Sequence, residues 1–140
     1  MYNNLILKIR AIRELSGSNN FILKGENIIW EDKEKECPTE EQIQVKIKEL
    51  EAKEVKKEIE KRADEFIKKQ LKKLDYNDMG EVALYAANSE SEWHDEAVAL
   101  QKWVEEVYQK MYELIDSVTV DNYADIDLDK IEAEYPAFKA

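Results

Sequence analysis

A mainly α-helical fold is predicted by the hydrophobic spacing of this 140-residue chain. No glycine or proline interrupts the stretch between Pro38 and Gly80, and from Trp93 to Val118 apolar residues recur at alternating gaps of four and three. The only β-prone stretch is a pair of short runs on either side of Gly25. The expected architecture is an N-terminal helix plus small β-hairpin head over 1–36, a long charged helix forming an arm over 37–75, and a C-terminal helical hairpin with a tail over 76–140.

The first element is a short amphipathic helix over residues 4–15. Leu5, Ile9 and Ile12 fall at helical spacing, Ile6 and Leu15 widen the stripe, and Ser16-Gly17-Ser18-Asn19-Asn20 stops it. Phe21-Ile22-Leu23-Lys24 and Asn27-Ile28-Ile29-Trp30 then flank Gly25-Glu26, a two-residue connection that closes a hairpin when glycine supplies positive φ. An isolated hairpin is marginal in water, so its apolar face is expected to pack on the preceding helix. The charge run from Glu31 to Glu36 reads as a solvated loop.

Pro38-Thr39-Glu40-Glu41-Gln42 is a helix start: Thr39 can accept from the Gln42 N–H while the Gln42 side chain reaches back, and the two glutamates meet the positive end of the dipole. The apolar stripe that follows is thin. Ile43, Ile47 and Leu50 are succeeded, after a shift in phase, by Val55, Ile59, Ala63 and Phe66, then Ile67, Leu71 and Leu74. At 1.5 Å per residue such a helix would reach roughly 50 Å. Lysine and glutamate alternate outside the stripe, with Glu49/Lys53 and Glu65/Lys69 as supporting pairs and Glu54/Glu58 as an opposing one. A projecting arm is the favoured reading; a surface helix packed lengthwise on its own domain is the alternative.

Asp75-Tyr76-Asn77-Asp78 breaks the pattern, and Met79, Val82, Ala83, Tyr85 and Ala86 form a short helix ending near Asn88. Ser89-Glu90-Ser91-Glu92 reads as a second capping box. The seam beyond it comprises Trp93, Ala97, Leu100, Val104, Val107, Met111, Leu114 and Val118, flanked by Trp103, Tyr108 and Ile115. Soluble monomers rarely leave so large an apolar stripe exposed, so the neighbouring helices or another chain must cover it. The remainder, with a helical turn Ile131-Glu132-Ala133-Glu134 stopped by Tyr135-Pro136, is expected to dock loosely.

Composition narrows function. Acidic residues number 32 against 21 basic, a net charge of −11, so counterion release would oppose binding to nucleic acid. Such acidity also suits a mimic that occupies a basic groove. Cys37 is the single cysteine and His94 the single histidine, which removes intrachain disulfides, cysteine-based zinc clusters and the usual Ser-His or Cys-His catalytic sets. The start Met1-Tyr2-Asn3 lacks the form of a signal peptide, and no apolar run is long enough for a membrane span. A calcium loop at Asp125, Asp127 and Asp129 would put Lys130 where glycine is needed and Pro136 where a bidentate glutamate is needed; starting at Asp121 reaches Glu132 but misplaces Tyr123 and Ile126. No catalytic residue, metal site or cofactor is therefore expected. The candidate protein-binding residues are Trp30, Trp93, Trp103 and Tyr108, with Ile43, Ile47 and Leu50 on the long helix. Trp30, beside the charged loop, is expected to report binding more cleanly than folding.

Asn27-Ile28-Ile29-Trp30 followed by Pro38-Thr39-Glu40-Glu41-Gln42-Ile43 resembles small phage tail-region proteins, in which a strand ending in tryptophan leads through a charged loop into such a helix. Asp78-Met79-Gly80-Glu81-Val82-Ala83, Glu92-Trp93-His94-Asp95-Glu96-Ala97, Trp103 and Ile131-Glu132-Ala133-Glu134-Tyr135-Pro136-Ala137-Phe138 are similar to the C-terminal part of those proteins. The lysine/glutamate-rich stretch from 46 to 73 is a departure, longer than the resemblance leads one to expect. The resemblance implies a non-enzymatic tail fibre or tail assembly chaperone, adaptor or minor virion component. Such a protein would be homo-oligomeric, would bind itself or a tail component rather than nucleic acid or membrane, and would act in the host cytoplasm during assembly or in the virion. An acidic inhibitor that blocks a host enzyme is the alternative, and an enzyme is a distant third.

Overall fold

A computed structural model describes residues 4–139, so the first three positions of the expected head and Ala140 lie outside it. The described chain is mainly helical with one antiparallel hairpin, in the order expected: α1 (Asn4–Ser16), β1 (Phe21–Lys24), β2 (Asn27–Trp30), α2 (Glu40–Lys73), α3 (Met79–Ala86) and α4 (His94–Ser117), then short 3-10 segments at Tyr123–Asp125 and Leu128–Glu134. It divides into two compact units, Met1–Glu54 and Val55–Ala140, and the division falls inside α2.

In the first unit, α1 buries Leu7, Ala11 and Ile12. Leu5, Ile6 and Leu15, expected on the buried stripe, are exposed. Apolar residues surround nearly the whole circumference of this helix, so periodicity does not choose a face; the hairpin and α2 do. The chosen face buries Lys8, whose Nζ donates to the Glu26 carbonyl at 2.9 Å and pairs with Glu40 at 3.3 Å. A buried ammonium is tolerable only with such partners. The helix stops at Gly17, whose φ of +70° suits glycine.

The hairpin pairs Phe21 with Trp30 and Leu23 with Ile28 on its inner face, where all four pack against the cluster of Leu7, Ala11, Ile12, Ile43 and Leu50. Gly25, with φ +59°, opens the two-residue turn. The outer face carries the cross-strand pair Ile22 and Ile29, both exposed. The loop expected to be merely solvated is ordered by Asp32: one carboxylate oxygen accepts from the Glu34 and Lys35 N–H groups and the other from the Ser18 hydroxyl. Lys35 Nζ in turn donates to the Gly17 carbonyl at 2.7 Å.

α2 starts with the reciprocal cap: Gln42 N–H donates to Thr39 Oγ1 at 3.1 Å, and Thr39 N–H to Gln42 Oε1 at 2.9 Å. The helix is not an exposed arm over 37–75. Ile43 and Leu50 complete the first core, while Val55, Ile59, Ala63, Ile67 and Leu71 are buried in the second unit. The shift in phase between Leu50 and Val55 marks the place where the helix passes from one core to the other. The ion pairs also differ from those expected, because Glu49 meets Lys46 and Lys69 meets Glu132.

α2 ends in a Schellman motif built on aspartate. Asp75 has φ +62°, its N–H donates to the Lys72 carbonyl, and the Tyr76 N–H donates to the Leu71 carbonyl at 2.9 Å. Asp78 caps α3, accepting from the Glu81 N–H at 2.8 Å, while the Glu81 carboxylate accepts from the Asn77 N–H. No capping box forms at Ser89–Glu92. Asn88 and Ser91 instead turn the chain by accepting from the Glu90 and Trp93 N–H groups, and α4 starts at His94.

α4 buries Ala97, Leu100, Trp103, Val104, Val107 and Met111, with Val118 just beyond its end. Trp103 thus belongs to the core and Trp93 does not. The tail is firmly docked, contrary to expectation. Ile131 and Tyr135 are buried, Arg62 donates to the Leu128 carbonyl at 2.7 Å, and the Tyr135 hydroxyl reaches the Ile59 carbonyl. The Trp103 indole meets Phe66 at a tilt and Phe138 edge-on, and Phe66 in turn meets Tyr135.

Candidate protein-contact site

Three aromatic rings lead from the second core to its surface. Tyr76 is buried, and Tyr85 of α3 meets it edge-on with centroids 6.1 Å apart. On its other side Tyr85 meets Trp93 at 5.2 Å. Trp93 itself is 49% exposed, at the entry to α4. The fold holds this corner from both ends: the Asp78 cap fixes the start of α3, and His94 Nδ1 sits 3.3 Å from the Tyr85 carbonyl. Burial, reinforced by the neighbouring Glu96 carboxylate, pushes the Tyr76 phenol up to about 12, so the buried end of the series is uncharged.

Further apolar residues are exposed on the same helices: Leu84 of α3 at 65%, Val98 of α4 and Tyr112 two heptads farther along α4. An indole held by its neighbours loses little rotamer freedom on binding while offering a large apolar face, which is how tryptophan serves as an anchor at protein contacts. The corner can bury surface and select shape.

The other candidate residues are placed differently. Ile43 and Leu50 are buried core residues of the first unit, and Ile47 is packed against them and only partly exposed. Trp30 is half-buried on the same core, stacked on Phe21 at 5.9 Å, and its indole N–H donates to the Lys35 carbonyl. It anchors the loop after the hairpin, so Trp30→Ala would disturb folding first. Trp103 is buried by the tail. Tyr108 lines a cleft of about 440 Å³ with Ile67, Leu71, Met79, Lys68 and Lys72, and its hydroxyl donates to Asp64 at 3.0 Å. Burial and that hydrogen bond raise its pKa.

Trp93 is therefore the one tryptophan of the three that is both exposed and braced. Leu84, Tyr85, Val98 and Tyr112 were not singled out from the sequence. The available signal was that Val98 and Tyr112 fall off the apolar stripe of α4, where a polar residue would be the norm.

Among the described residues, no three His, Cys, Asp or Glu side chains gather as they would around a metal ion. In the 121–132 stretch, Asp127 accepts from the Asp129 N–H and pairs with Lys130, and Asp129 pairs with Arg62. No described helix is long and apolar enough to cross a membrane. Compared with protein-family models, curated proteins and solved structures, the chain matches none.

Proposed function

We propose that this chain is a non-enzymatic protein-binding protein that engages its partner through Trp93 and other exposed apolar residues of α3 and α4, in the assembly of a phage tail or tail fibre. The observation that carries the binding role is the pairing of exposure with order at Trp93: the indole is half exposed yet braced by Tyr85. The tail context rests on the sequence blocks described above, whose Trp93-containing segment lies in this corner. A chaperone, adaptor or minor virion component would each use such a surface, and self-association would place copies of it side by side.

The test is molecular mass in solution together with a pull-down from infected cells. The expected result is an oligomer or a retained tail-fibre protein, either of which Trp93→Ala abolishes while helical content stays unchanged. A strictly monomeric chain at high concentration that retains no fibre protein would overturn the reading.

A further inference from the structure

The charge of the second unit is sharply divided along the sequence. Val55–Lys73 carries eight basic and four acidic residues, whereas the chain after Lys73 carries 17 acidic and four basic. Of the two lysines on α4, Lys110 is engaged by Glu113 and Glu134, at 3.7 and 3.9 Å. The outer face of α4 is thus dominated by carboxylates, and Asp95, Glu105, Glu106, Glu113 and Asp116 are all exposed.

That face is not simply solvated. Val98 is 44% exposed and Tyr112 58%, and with Glu105 between them they form a row at heptad spacing on the side away from the buried stripe. The row extends for roughly 21 Å at 1.5 Å per residue. Two apolar residues set among carboxylates that outnumber the one exposed lysine of this face, Lys102, match an amphipathic helix of opposite net sign laid along it. The whole-chain charge of −11 selects against a second copy as that helix, since copies repel one another at long range, and favours a net-basic protein.

We propose that the outer face of α4, along the row of Val98, Glu105 and Tyr112, docks a lysine- or arginine-rich amphipathic segment of a partner protein. This rests on the protein-binding reading above and adds the chemistry of the partner. Carboxylates would steer the basic segment to the face and fix its register, and Tyr112 and Val98 would supply the contact that survives salt.

The test uses the full chain and two synthetic helical peptides of about 18 residues, one built of leucine and lysine and the other of leucine and glutamate. The leucine/lysine peptide is expected to bind saturably at one site and to weaken about tenfold between about 0.05 and 0.3 M salt. Glu105→Lys with Asp116→Lys should lose about tenfold more, and Tyr112→Ala about tenfold with its charge unchanged. All of these positions are exposed, and circular dichroism checks that helicity is retained.

Equal binding to wild type and the charge-reversed variant would overturn the proposal, as would polylysine binding as tightly as the leucine/lysine peptide. Sedimentation showing a homodimer that Tyr112→Ala dissociates would assign the face to a second copy and also overturn it. If the leucine/glutamate peptide alone binds, and Trp93→Ala weakens it, protein binding stands and the basic partner falls. If neither peptide binds and Trp93→Ala changes no association of the chain, both readings fall together.

Discussion

The Trp103 indole N–H donates to the Pro136 carbonyl at 2.8 Å, joining α4 to a residue 33 positions later. The ring is buried against Phe66 and Phe138, so removing it opens a large hole as well as stranding a carbonyl. Trp103→Ala is expected to destabilise by about 3–5 kcal/mol in urea unfolding. Trp93→Ala, at a half-exposed site, should cost about 1 kcal/mol or less. Equal losses at the two positions would contradict the division into a core tryptophan and a contact tryptophan.

Asp75 occupies the left-handed region where glycine is preferred, and it places a negative charge at the negative end of the α2 dipole. Asp75→Gly keeps the Schellman hydrogen bonds and relieves both costs. A gain of about 1 kcal/mol is expected, read as a higher thermal midpoint.

The reciprocal cap of α2 can be tested from either side. Thr39→Ala removes the acceptor for the Gln42 N–H and should cost about 1 kcal/mol. Thr39→Ser keeps the acceptor and should restore most of that loss.

Stability is expected to fall at both extremes of pH, for separable reasons. Hydrogen bonds from Ser18 and from the Glu34 N–H hold the Asp32 carboxyl below its ordinary 3.8. Its contribution is complete above that value and is lost as pH falls through the lower folded-state pKa, so Asp32→Asn should reduce the acid sensitivity of the first unit. At the other end, burial pushes the Tyr76 and Tyr135 phenols up to about 12 from an ordinary 10.0. The unfolded chain loses these protons first, so stability is full below pH 10.0 and drains away between there and about 12. Absorbance at the phenolate band, followed alongside helicity, should show the last tyrosines ionising together with unfolding.

What was legible in the sequence was local. The Thr39/Gln42 cap, the Gly25 turn and the order of elements depend on residues within a few positions of one another, and all are present in the structure. The buried face of α1 was not legible because Leu5, Ile6, Leu7, Ile9 and Ile12 are all apolar, and only packing separates Leu7 and Ile12 from Leu5 and Ile6. The docking of the tail is not legible because Tyr135 and Leu128 find their partners at Ile59 and Arg62, far back along the chain. At the contact site, Trp93 stood out by residue type, but its exposure is a matter of half a helical turn: α4 begins one residue after it.

The aromatic cluster around Trp103 bears on how the polypeptide matures during translation. Phe66 and Trp103 are synthesised well before Tyr135 and Phe138, and until residue 138 has cleared the exit tunnel they have each other but lack the rings that complete the cluster. The second unit therefore finishes folding late, with the Phe66 and Trp103 side of its core uncovered meanwhile. A released chain truncated a few residues short of Tyr135 should be protease-sensitive over Val55–Ser117, whereas the full chain should be resistant there.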